Sequence, residues 1–130
     1  MLKEINVKTN AKNQFIDITR DVQKEIQISG ISDGLCFLFV PHTTAAITIN
    51  ENADISVSKD IINFLNKLVP FDDNYLHLEG NSSAHIKSVL IGCSETIAIN
   101  FNKLVLGTWQ GIFFCEFDGP RTRKVQIHIT

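Results

Sequence analysis

Four histidines are spread through the 130 residues, and three of them stand in settings where an imidazole could do chemistry. His42 follows Pro41 at the head of HTTAAITINEN, His77 lies in the polar stretch FDDNYLHLEGNSS, and His85 opens AHIKSVLI. An imidazole titrates near neutral pH, so it can give or take a proton, and its neutral form binds divalent metals. His77 and His85 match no recognised metal-ligand spacing, yet with a nearby carboxylate they would be the candidate ligands for Mg or Zn. His128 alternates with Val125, Ile127 and Ile129 and reads as an exposed strand residue.

The charged partners come from two places. NENAD, Asn50 to Asp54, ends the polar face of a strand; it reads as a strand-to-helix turn with an Asp cap, or as a site where Glu51 serves as acid, base or metal ligand. GTWQGIFFCEFDGPRTRK, Gly107 to Lys124, runs from an apolar stretch into acids and then bases. Glu116 and Asp118 are either the solvated end of a strand or one wall of a ligand cavity. In DGPR, Gly119 accepts a positive φ and Pro120 fixes its own, which would hold Asp118 and Arg121 in a set relation. That segment is a hairpin turn on one reading; on the other, Arg121 offers a planar donor fork to a phosphate or carboxylate.

The elements that must position these groups follow from periodicity. LKEINVKT and FIDIT alternate as half-buried strands, and Thr19 is placed to cap a helix over RDVQKEIQ that stops at Gly30. GLCFLFV reads as a buried central strand. In HTTAAITINEN, His42, Thr44, Thr48 and Asn50 share a face with Ala46, while Ala45, Ile47 and Ile49 share the other; the first face is expected to meet solvent, a ligand or a partner. Asp54 caps ISVSKDIINFLNKLV, which Pro70 ends, and Ser82 or Ser83 caps AHIKSVLI, which Gly92 closes. ETIAI, KLVLG, TWQGIFFCEF and RKVQIHI read as strands, with a turn at Asn100 to Asn102. The pattern predicts one α+β domain over residues 1–130, with a mostly antiparallel, sandwich-like sheet core and about three helices.

Composition narrows the function classes. The net charge of −2 argues against a nucleic-acid binder, and Arg121, Arg123 and Lys124 form only a local basic cluster. No apolar run is long enough to span a bilayer, and MLKEINVKTN lacks the apolar core of a signal peptide. Cys36, Cys93 and Cys115 sit in apolar runs, an odd set without paired spacing, which suggests reduced, buried thiols and a cytoplasmic protein.

Three segments in this order, HTTAAITINENAD, AHIKSVLIGCSETIAI and LGTWQGIFFCEFDGPRTRK, resemble the YjbQ family, whose members are described as secondary thiamine-phosphate synthases. The likeness runs from about Val40 to the C-terminus, and GTWQ followed by EFDGPR is its most specific part. Asn102 replaces the family's usual glycine before the LxLGTWQ strand, and Ile55 replaces a frequent proline after NENAD; both exchanges are conformationally mild. The resemblance implies an α+β subunit that assembles as a homotrimer, with His42, Glu51, His85, Gln110, Asp118 and Arg121 lining a common pocket. It implies an enzyme that joins a pyrimidine pyrophosphate to a thiazole phosphate and releases pyrophosphate, an activity secondary to some other main role. In that scheme His42, Glu51, His85 and Asp118 are the catalytic candidates. Arg121 and Lys87 would meet the phosphates, Gln110 would line the pocket, and Trp109 would stack on a flat heterocycle. A non-catalytic small-molecule or metal-binding module needs the same pocket without proton chemistry. A structural trimer needs only that the polar groups satisfy one another.

Overall fold

The computed structural model describes residues 2–130. Its strands form two antiparallel sheets. The larger sheet has the order β1 (Leu2–Lys8), β8 (Thr122–Ile129), β3 (Gly34–Phe39), β5 (Ser94–Asn100), β6 (Lys103–Leu104). The smaller one is β2 (Gln14–Asp17), β7 (Gln110–Glu116), β4 (Ala45–Glu51). Helix α1 spans Thr19–Ser29, α2 Ile55–Leu68 and α3 Ser82–Ile91. This is the α+β, sandwich-like architecture with three helices that the periodicity predicts.

Two apolar clusters account for the layering. In β8, Val125, Ile127 and Ile129 alternate inward and meet Cys36 and Leu38 of β3, Ile97 and Ile99 of β5, and Ile112 and Phe114 of β7 between the sheets. Val22 and Ile26 of α1 close the same core. On the far side of the smaller sheet, Ala46, Phe113, Cys115 and Phe117 pack with Leu65 of α2 and Ala84 of α3. Thus Gly111 to Phe117 is buried throughout, since sheet covers one face and helices the other. The face of β4 expected to meet solvent, a ligand or a partner is divided: Asn50 is exposed, while Ala46 belongs to the helix-side core, and the Ser88 hydroxyl donates to the Ala45 carbonyl at 2.7 Å.

Local expectations hold in some places and shift in others. Asp54 caps α2, its carboxylate accepting from the Ser56 N–H at 2.9 Å. Thr19 does not cap α1: Ile18 holds the cap position, and Thr19 lies in the first turn, where its hydroxyl accepts from the Ile112 N–H at 2.8 Å. Neither Ser82 nor Ser83 caps α3; Asn81 holds that position without capping through its side chain. KLVLG contributes only the two-residue β6. The turn at Phe101 and Asn102 has positive φ at both residues, and the Asn102 amide donates to the carbonyls of Ile26 and Ile31, tying the turn to the end of α1. Cys36 and Cys115 are buried, but Cys93 is exposed; all three are free thiols.

Candidate functional site

The site begins where β3 stops. Continuing the register of β3 against β8 beyond Phe39↔Gln126 would set Pro41 opposite Lys124. Proline has no N–H for a ladder and strands avoid it in their interior. The chain therefore leaves the sheet, and the His42 ring fills the vacated place: the Lys124 main-chain N–H donates to Nε2 of His42 at 3.0 Å.

Next to it lies the corner between β7 and β8. Glu116 and Arg123 are each in phase with core residues of their strands, and both are buried, at 0% and 5% exposure. They form a two-pronged ion pair, with Arg123 Nε 2.8 Å from Oε1 and Nη2 on Oε2. Thr9 donates to Oε1 at 2.8 Å, and the N–H groups of Phe117 and Asp118 donate to Oε2 at 3.1 and 3.0 Å. Burial alone would push this carboxyl up, but these hydrogen bonds and the guanidinium charge together hold it below the usual carboxylate range. Arg123 also donates to the Thr44 hydroxyl at 2.8 Å, which fixes the segment after His42.

From this support the turn projects Asp118 and Arg121. Arg121 donates through Nε to the Asp118 carbonyl at 2.8 Å and through Nη2 to its carboxylate at 3.1 Å. Asn81 donates to the same carboxylate oxygen at 2.9 Å, which explains why its side chain is diverted from capping α3. Asn81 Oδ1 is the one buried side-chain polar atom without a partner among the described residues. Gly119 is required here, because a Cβ would come within 2.2 Å of the Ala11 carbonyl oxygen and 2.9 Å of the Thr9 hydroxyl.

These groups open onto one cleft of about 450 Å³, lined by His42, Thr44, His77, Glu79, Asn81, His85, Asp118, Arg121 and Arg123 among others. The His77 and His85 rings meet edge to face with centroids 5.4 Å apart. Neither imidazole has a hydrogen bond to another described residue, so their nitrogens are available to a ligand. Burial, helped by the Arg123 charge and opposed by that of Glu116, lowers the pKa of His42 below its ordinary value.

The structure thus brings together His42, His77, His85, Asp118 and Arg121. It does not bring in the others. Glu51 and Gln110 pair across the far ends of β4 and β7, which six strand steps put roughly 20 Å from the cleft end. Glu51 lines a separate cavity of about 510 Å³, with an apolar floor that includes Phe15, Ile62 and Phe113. Gln110 instead accepts from the Gly107 N–H at 2.7 Å, and Trp109 stands 63% exposed before β7 begins. Lys87 is two residues from His85 and so on another side of α3; it is 4% exposed and donates to the amide oxygens of Asn13 at 3.1 Å and Asn66 at 2.6 Å. Its burial, with the nearby Lys12 charge, lowers its pKa.

The metal expectation for His77 and His85 meets a shortage of donors. Among the described residues no three His, Cys, Asp or Glu side chains gather closely enough to hold an ion, whereas a protein-bound zinc needs at least three. Within the described residues His77 and His85 alone would supply two imidazole ligands, and no step is assigned to a metal.

Asn81 and Thr9 were not legible as site residues, being ordinary polar positions in the sequence, whereas Thr44 shares the polar strand face of His42. Arg123 and Glu116 did carry a signal: opposite charges, each in phase with a run of core residues on its own strand.

Comparison with known proteins agrees with this geometry at the level of fold and family. The model of the family described as UPF0047 protein YjbQ-like matches residues 3–130. A UPF0047 protein of Methanocaldococcus jannaschii is 57% identical over 129 residues, 99% of this chain and 94% of the relative. The UPF0047 protein YugU of Bacillus subtilis is 48% identical over 98% of this chain and 97% of its own length. The crystal structure of an uncharacterized conserved YjbQ/UPF0047 protein from Clostridium acetobutylicum superposes with a TM-score of 0.97 at 55% identity, covering 98% of this chain and 99% of that one. The chain belongs to the YjbQ/UPF0047 family.

Proposed function

We propose that the cleft binds a phosphorylated small molecule and that the protein is an enzyme with thiamine-phosphate synthase activity. It would join hydroxymethylpyrimidine pyrophosphate to a thiazole phosphate and release pyrophosphate, an activity secondary to a main role with a related ligand. The observation that carries this reading is the meeting of three imidazoles and the Arg121 guanidinium, from four segments of chain, in one cleft. When the methylene–oxygen bond breaks, negative charge builds on the leaving pyrophosphate, and positioned donors stabilise it. Arg121 suits that task because Asp118 already holds its Nε and Nη2, leaving Nη1 without a partner among the described residues. Asp118, committed to Arg121 and Asn81, acts here by positioning and not as an acid or base.

That commitment also supports the second reading, a binding module without catalysis, because Glu79 is the one carboxylate of the cleft not engaged by another described residue. In a homotrimer, Glu51, Trp109 and Gln110 would join the site only if a neighbouring chain carried them to the cleft. The exposed Leu76, Leu78 and Val89, at 95%, 99% and 83%, are apolar surface that such an assembly would cover. We place the protein in the cytoplasm on the strength of its three free thiols.

The test is to incubate the protein with the pyrimidine pyrophosphate and the thiazole phosphate, follow thiamine phosphate by chromatography, and titrate pyrophosphate by calorimetry. Binding and turnover that both fall in Arg121→Ala and His85→Ala support the enzyme. Binding without turnover supports the module, and no binding removes both readings.

A further inference from the structure

The three cleft histidines are not equivalent. The Nε2 of His42 lies 3.0 Å from a main-chain N–H, and a main-chain N–H can only donate. Nε2 is therefore an unprotonated acceptor, and the proton of the neutral ring must sit on Nδ1. Nδ1 has no partner among the described residues and is not among the buried polar atoms left unpaired, so it opens to the solvent side of this half-buried residue. Protonating the ring would set two N–H groups face to face and sacrifice the bond that replaces the lost ladder contact of β3. His77 and His85 carry no such constraint.

We infer that His42 is a fixed, neutral hydrogen-bond donor, presenting Nδ1–H to an anionic oxygen of the ligand. This rests on the reading of the cleft as a phosphate site. Arg121 then meets the ligand's charge while His42 meets one oxygen lone pair, a division that favours a phosphoryl group over a compact cation or an apolar guest. The charges facing His42 come from Arg123 and Lys124 on β8, Glu116 on β7, Asp118 and Arg121 in the corner, His77 and Glu79 in the loop, and His85 on α3.

The experiment records long-range proton–nitrogen NMR spectra of the four imidazoles in the full chain, from about pH 8 to about pH 5, with and without pyrophosphate. Without ligand, His42 should show the Nδ1–H tautomer and keep it below the ordinary imidazole value of 6.5. An Nε2–H tautomer, or protonation at or above that value, would overturn the assignment whatever the cleft binds. With pyrophosphate, the Nδ1–H signal of His42 should shift downfield; saturation of the protein with that signal unmoved would reject the donor role. Absence of any pyrophosphate binding would remove the phosphate reading and the donor role with it, while the tautomer result stands separately. As a companion, His42→Gln supplies an acceptor and a donor but no titratable base. It should keep pyrophosphate affinity within about threefold, while His42→Ala loses about tenfold or more. Equal losses in the two variants count against the proposal.

Discussion

Arg123 on β8 and Glu116 on β7 form a buried, two-pronged ion pair that ties the two sheets together directly behind the cleft. Removing one partner leaves the other charge buried and unpaired, a loss of about 3–5 kcal/mol. Arg123→Met or Glu116→Leu alone should therefore lower the urea midpoint sharply. The double variant, with neither charge present, should recover more than half of that loss. A double-mutant cycle by urea denaturation measures both.

The same carboxylate gives stability a pH dependence. Its folded pKa lies below the ordinary value of 4.5, so the unfolded chain takes up its proton first as pH falls. The contribution of Glu116 is complete above that value and is lost as pH falls through the folded one. In Glu116→Gln the acid limb of a stability-versus-pH curve should be shallower than in the parent.

Gly119→Ala should disrupt the cleft from behind. The added Cβ would strike the Ala11 carbonyl oxygen and the Thr9 hydroxyl, which holds Glu116 and the Arg121 N–H. Overpacking of this kind costs about 1–3 kcal/mol. Thermal melting should show that loss, and pyrophosphate affinity should fall with it because Asp118 and Arg121 ride on the same turn.

Lys87 should matter to folding and not to the ligand. It links α3 to Asn66 of α2 and to Asn13, away from the cleft side chains. Lys87→Ala leaves two amide oxygens without their donor, at a cost of about 1–3 kcal/mol each where water cannot replace it. Calorimetry should show pyrophosphate affinity within about twofold of the parent in the variant that still folds.

Much of the fold was open to reading because neighbouring residues set it. Alternation in RKVQIHI defined a strand and its buried phase, the apolar run of GIFFCEF defined another strand, and Asp54 marked the start of α2. Failures came where distant segments compete for a local group. Thr19 is a good cap in isolation, but the Ile112 N–H engages its hydroxyl from another strand. Ala46 looked part of an open polar face because no local signal shows that α2 and α3 return to cover it.

The sequence by itself determined the residue types of the cleft, the turn that sets Asp118 beside Arg121, and the break that Pro41 makes before His42. These depend on side-chain chemistry and on backbone preferences within a few residues. Only the tertiary structure decided that His42, His77 and His85 meet that turn while Glu51, Gln110 and Trp109 stand at the other end of the sheet. It also decided that Lys87 is buried among amides and that Lys124 fixes the proton of His42. Those facts arise from strand register and helix packing between segments tens of residues apart, and separation along the chain carries no record of distance in space.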